Sequence, residues 1–131
     1  MNAISRVIFL LILSFIQPAK ARDEYSLAER AALERMSNLM LCDIGFDRLW
    51  LFSGEEELKT VSKFLNDDIN EIATRFHLKD NDIDELRSHF NEIYPEASKE
   101  ELLYVLKNTE LPGLGNKSCG SYVKERYKDR L

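Results

Sequence analysis

Apolar residues recur along this chain at the steps of an α-helix. Leu58, Val61, Leu65, Ile69, Ile72 and Phe76 are separated by 3, 4, 4, 3 and 4 residues. Residues three and four apart share a helix face, so this spacing predicts an amphipathic helix with one continuous apolar stripe. A second stripe, Ile83, Leu86, Phe90 and Ile93, predicts a helix that Asp80 or Asn81 caps and Pro95 ends. Upstream, Ala28, Ala32, Leu33, Met36, Leu39 and Met40 predict a helix running to Asp43, where Gly45 permits a bend or a break. Phe46, Leu49, Trp50 and Phe52 form a dense apolar cluster just beyond it. Downstream, Leu102, Leu103, Val105 and Leu106 predict a further helix, and Cys119, Tyr122, Val123 and Tyr127 a last short one starting near Ser118.

The polar positions mark the ends. Ser26 to Glu29, Ser53 to Glu56 and Ser98 to Glu101 each read as a capping box, in which a serine side chain and a glutamate three residues on satisfy each other's backbone donors. Pro112-Gly113-Leu114-Gly115-Asn116 is the clearest loop. No segment alternates with period two between hairpin turns. The expectation is an all-α fold, a single small domain of about five helices over residues 22–131, with no internal repeat.

Residues 1–21 have a different pattern. Arg6 precedes an apolar run from Val7 to Ile16, broken only by Ser14, and Ala19-Lys20-Ala21 supplies the small-x-small site of a signal peptidase. A membrane-spanning helix needs about 20 apolar residues, so a cleaved signal peptide is the better reading than a retained anchor. The leader holds no cysteine, which argues against a lipoprotein anchor. Cleavage after Ala21 predicts a periplasmic or extracellular protein with no stable membrane anchor.

Two cysteines change the architecture. Cys42 lies in the first helix and Cys119 in the last. In an exported protein they read most simply as one disulfide, with two free thiols or an intermolecular bond as the alternatives. The bond would tie the first helix to the last and stabilise the chain by roughly 4–5 kcal/mol, because the closed loop is long. It would also bring Tyr122 and Val123 near Trp50 and Phe46.

Charge narrows the partners. Arg6 and Lys20 leave with the leader, so residues 22–131 keep 16 bases against 23 acids, a net charge of −7. Nucleic acid and anionic lipid are poor partners for such a chain. Residues 55–101 hold 14 acids and 6 bases, whereas residues 117–131 hold five bases and two acids. One reading of this layout is a solvated helix surface. The functional one is an acidic face, Glu55, Glu56, Asp67, Asp68, Glu71, Asp82 and Glu85, offered to a basic protein, with the basic tail folded back on it or contacting something acidic. Carboxylates with ordinary pKa values near 4 also predict that the fold loosens in acid.

Candidate chemistry is sparse. His77 and His89 lack the i, i+4 partner of a helical zinc pair and read as surface or helix-end histidines. Asp80-Asn81-Asp82-Ile83-Asp84 imitates the start of a calcium loop, but Glu85 stands where glycine must turn it and Asn91 where the bidentate glutamate belongs. Acids in a helix's first turn explain it better. No nucleophile elbow, phosphate-cradling loop or CxxC is present. The expectation is therefore a protein that is not an enzyme and uses no cofactor or metal.

Two resemblances can be placed on these residues. Leu86, Phe90, Tyr94-Pro95, Glu101-Leu102 and Leu106-Lys107-Asn108 look somewhat like the first half of a CUE ubiquitin-binding module. Tyr94-Pro95 replaces that family's Phe-Pro, its terminal di-leucine is absent, and an exported protein meets no ubiquitin, so no residue is carried over. In organisation the chain looks broadly like exported helical proteins of the bacterial periplasm, including immunity proteins that neutralise toxins. That likeness of architecture implies a non-catalytic protein that docks a helical face onto another protein. A small acid-stress periplasmic chaperone and a secreted hydrolase are the alternatives.

Overall fold

The computed structural model describes residues 26–93 and 97–130. The leader, its cleavage site and Pro95 lie outside the described residues. Five α-helices are present among them: α1 (Leu27–Ser53), α2 (Glu56–Arg75), α3 (Asp80–Ile93), α4 (Lys99–Asn108) and α5 (Cys119–Arg126), with a short 3-10 turn at Pro112–Leu114. The fold is all-α, and a Cys42–Cys119 disulfide with Cα atoms 5.5 Å apart joins the first helix to the last. A persistent disulfide belongs to an oxidising compartment. Among the described residues no helix is long and apolar enough to cross a membrane.

Helix α1 is the strut on which the rest is assembled. Its 27 residues extend about 40 Å at 1.5 Å per residue. Ser26 and Glu29 form the expected capping box at its start. It does not end at Asp43 or break at Gly45, as the sequence suggested, but runs on to Ser53. The reason is burial. Every residue from Met36 to Phe46 is buried, because α2, α3, α4 and the 3-10 turn all pack against α1. A mid-helix glycine costs roughly 0.5–1 kcal/mol relative to alanine, which packing on all sides readily offsets.

The true end of α1 is Gly54, at φ 70°, whose N–H donates to the carbonyl of Trp50 at 2.7 Å. The left-handed conformation there favours glycine. Ser53 therefore does not cap α2. It is the last residue of α1, and its hydroxyl accepts the Glu55 N–H at 3.3 Å, while Glu55 itself occupies the N-cap position without a side-chain cap.

Helix α2 runs back along α1 and buries Val61, Leu65, Ile69 and Ile72, the stripe that its spacing predicted. It ends with His77 in the left-handed region at φ 51°. The N–H of Leu78 donates to Ala73 and that of His77 to Thr74. This is a Schellman stop with histidine in glycine's usual place, closed by the buried Leu78. Helix α3 carries Asp80 and Asp82 in its first turn and buries Leu86 and Phe90. Helix α4 opens with the predicted Ser98–Glu101 capping box.

The chain then crosses α1. Gly113 donates its N–H to the buried side-chain oxygen of Asn38 at 2.7 Å. A Cβ at Gly113 would lie 2.5 Å from that oxygen and 2.9 Å from the Arg35 Cα, so only glycine fits this crossing. Gly115 and Asn116, both at positive φ, reverse the chain into an isolated bridge between Leu111 and Lys117. Ser118 caps α5 by accepting the Ser121 N–H.

Helix α5 meets α1 at its start, where Cys119 bonds Cys42, and one turn later at Arg35. The Tyr122 hydroxyl accepts from Arg35 at 3.3 Å, and its ring meets Tyr127 edge-on at 6.3 Å. The expected contact of Tyr122 with Trp50 is not made, since Arg35 and Trp50 are separated by about 22 Å of helix axis. Trp50 instead lies under the Lys59 ammonium, 5.1 Å from its ring.

Candidate docking site

Three polar or concave arrangements are built on this frame. The first is the junction of α2 with the chain's end. The Tyr127 hydroxyl donates to the Asp68 carboxylate at 2.6 Å, and the Arg126 guanidinium stands 3.6 Å from the same oxygen. Burial, then the bond to Asp68 and its charge, push the Tyr127 phenol well above its ordinary pKa, so it stays a donor. Asp68 in turn raises the pKa of Arg126. Arg130 lies over the rings of Phe64 and Tyr127, at 5.3 and 5.9 Å.

The second is an open trough of about 500 Å³ where α1, α2 and α3 meet. Buried Asp43 accepts the Ser62 hydroxyl there and lies 3.6 Å from Arg87. Desolvation raises the Asp43 pKa above its usual range, and Ser62 and Arg87 only partly oppose this. Lys59, Lys63 and Asp47 also line the trough, so its charges are mixed and favour no one class of ligand.

The third arrangement is the larger of the two concavities. A cleft of about 810 Å³ opens between the C-terminal half of α1, the start of α2, and helices α4 and α5. Phe46 and Leu49 from α1, Leu58 from α2 and Leu103 and Leu106 from α4 give it an apolar lining. Leu103 is 45% exposed, one of few large apolar side chains the described residues leave open. Lys99, Lys107 and Lys124 stand on the rim against one acid, Glu55.

Local sequence explains this wall. In α4, Leu102, Val105 and Leu106 turn inward, while Lys99, Leu103 and Lys107 follow at steps of four and share the neighbouring face. At Gly120 the last helix comes close to α4, since a Cβ there would sit 3.4 Å from the Leu106 carbonyl oxygen. The disulfide fixes that wall in place through the adjacent Cys119.

The acids singled out by charge are distributed differently. Asp67 and Glu71 are exposed one turn apart on α2, where Glu71 pairs with Arg75. Glu56 is exposed at the start of α2, and Asp82 and Glu85 lie in the first half of α3. Glu55 stands apart at the cleft rim. Asp68 belongs to no outer face: it is buried under Tyr127 and Arg126. The basic tail thus does fold back, with Arg126 and Arg130 lying against α2.

The sequence reading missed Lys99, Leu103, Lys107 and Lys124. A signal was available for one of them. Leu102, Val105 and Leu106 form one i, i+3, i+4 face, and Leu103, about 100° around the axis from Leu102, lies beside that face rather than at its centre. Among the described residues, no three of His, Cys, Asp and Glu come together as a metal-binding group. The chain matches no protein-family model, no curated protein and no solved structure.

Proposed function

We propose that this is an exported, non-catalytic binding protein, acting in the periplasm or outside the cell, that docks another protein through the cleft between α1, α4 and α5. The single observation behind this is an apolar cleft with a lysine rim on a chain of net charge −5. Concave apolar surfaces with a few polar groups at the edge are where binding sites concentrate. The exposed Leu103 inside such a cleft is apolar surface that a docked partner would remove from water. The formed disulfide and the leader read at residues 1–21 both favour export. The acidic face becomes secondary, because Asp68 is spent inside the fold.

Site-specific photocrosslinking in cells that export the protein tests this. A photoreactive residue at position 103 is expected to yield a discrete protein adduct, and one at Asp67 to yield none. An adduct from Asp67 alone would move the docking surface to the acidic face. The absence of any adduct at either position would remove the docking function.

A further inference from the structure

The cleft also carries information on what occupies it. Resting on the docking function proposed above, we infer that the occupant is an amphipathic α-helix of a partner protein, with apolar anchors on one face and acidic residues flanking them. The walls are themselves helices, and the space between them is an open trough rather than a closed cavity. Lys99, Leu103 and Lys107 line one side at steps of four, so a rod lying along α4 meets ammonium, apolar and ammonium groups in turn. Lys124 from α5 adds a third cation on the adjoining wall. Helix-in-groove recognition uses this geometry: apolar anchors at i, i+3, i+4 and i+7 enter the trough and charges at the edge fix the orientation.

Charge complementarity decides the sign of the partner. The rim has three lysines to one glutamate, whereas the whole chain has 23 acids to 18 bases. A basic helix would meet like charge along α4 and α5, and an acidic one would find its partners there. A second copy of this chain offers no such acidic amphipathic helix through α2 or α3. Its acidic helices α2 and α3 keep their apolar stripes, Val61, Leu65, Ile69, Leu86 and Phe90, turned into its own core, so they have no anchors to offer.

Fluorescence anisotropy tests the inference. The probes are three labelled 18-residue peptides, used with the oxidised protein recovered from export of the full chain. The first is an alanine-based helical peptide with leucines at i, i+3, i+4 and i+7 and glutamates flanking them. The second is the same peptide with lysines for glutamates, and the third scrambles the first. The acidic amphipathic peptide is expected to bind about tenfold or more tighter than the other two, and less tightly as salt rises. Lys107→Glu and Lys124→Glu should each weaken it roughly two- to fivefold. Leu103→Asp should weaken it by about tenfold or more, with helicity by circular dichroism and the urea midpoint preserved, and Asp67→Asn should change nothing.

Equal binding of the lysine peptide, or indifference to both Lys→Glu variants, overturns the acidic helix. So does displacement of the peptide by dodecanoate, which would make the cleft a site for small apolar anions. Concentration-dependent sedimentation of the protein alone, abolished by Leu103→Asp, would assign the cleft to a second copy instead. A crosslink from position 103 without peptide binding would leave the docking function standing and remove only the occupant.

Discussion

Helices α1 and α2 lie side by side, and they solve the problem of burial in different ways. Helix α2 buries one face, on Val61, Leu65, Ile69 and Ile72, and exposes the other. Helix α1 has no such division over its middle, where every residue from Met36 to Phe46 is covered. A helix covered all round must find partners inside the protein for the polar groups it carries, and all but the Asn38 Nδ2 among the buried side chains of this stretch do so. Ser37 donates to the Leu33 carbonyl, Asn38 accepts from Gly113, and Asp43 accepts from Ser62. The lesson is one of dependence. The half-exposed helix needs one partner, whereas the buried one needs all of them, and the cleft exists because its C-terminal half is left partly uncovered.

The disulfide should separate the two helices most. Cys119→Ser, or reduction, is expected to lower stability by roughly 2–5 kcal/mol, read from urea unfolding with and without reductant. The loss should fall on α5, and therefore on the cleft wall, while the α1–α2 pair persists. An unchanged midpoint would mean that α1 does not depend on α5. Gly113→Ala comes next. Its Cβ would collide with the Asn38 side chain and the Arg35 backbone, so a loss of about 1–3 kcal/mol is expected, measured by the same denaturation. A neutral result would show that the 3-10 turn can lift off α1 without cost.

At the far end of α2 the sign reverses. His77→Gly removes a side chain from a left-handed position, where non-glycine residues cost roughly 1–2 kcal/mol. A gain of up to about 1 kcal/mol is expected, the greater freedom of glycine in the unfolded chain taking back the rest. Thermal unfolding checks it, and a lower midpoint would mean that the imidazole contributes a contact of its own.

Asp43, at the junction of the two helices, has the subtlest effect. Its folded pKa is raised above the ordinary 3.8, chiefly by burial. A raised pKa means that the folded state binds this proton more tightly than the unfolded chain. Its stabilising contribution is then complete below the unfolded pKa and is lost as pH rises through the folded value. Asp43→Asn cannot take up that proton. The wild type should therefore gain stability relative to Asp43→Asn on acidification from pH 7 towards pH 4, even though the many exposed carboxylates favour loosening in acid. Parallel melting temperatures across that range would show that Asp43 is not desolvated.

The same contrast explains which parts of the fold could be read in the sequence. The α2 stripe, the Leu86 and Phe90 face of α3, and the capping boxes at Ser26 and Ser98 were all legible. Each is a local pattern, and each serves a single interface or a single backbone end. The continuation of α1 through Gly45 was not. A helix buried on all sides has no polar face to give it a period, and glycine there resembles a stop. The Ser53 box misled because a glycine at Gly54 ends a helix more strongly than a serine at Ser53 begins one.

By itself the sequence determined the all-α class, most of the helices, and the Cys42–Cys119 pairing of first helix with last. These follow from helical periodicity and from there being one cysteine pair to make. Tertiary structure decided what each surface became. Asp68 reads as an exposed acid among exposed acids, and only the return of the chain's end puts Tyr127 and Arg126 on it. Lys99, Lys107 and Lys124 are scattered bases in the sequence, and they form one rim only when the disulfide brings α5 beside α4. A helix's own spacing fixes which residues share a face. Which of those faces stays open depends on the arrival of chain from dozens of residues away, and no local pattern carries that.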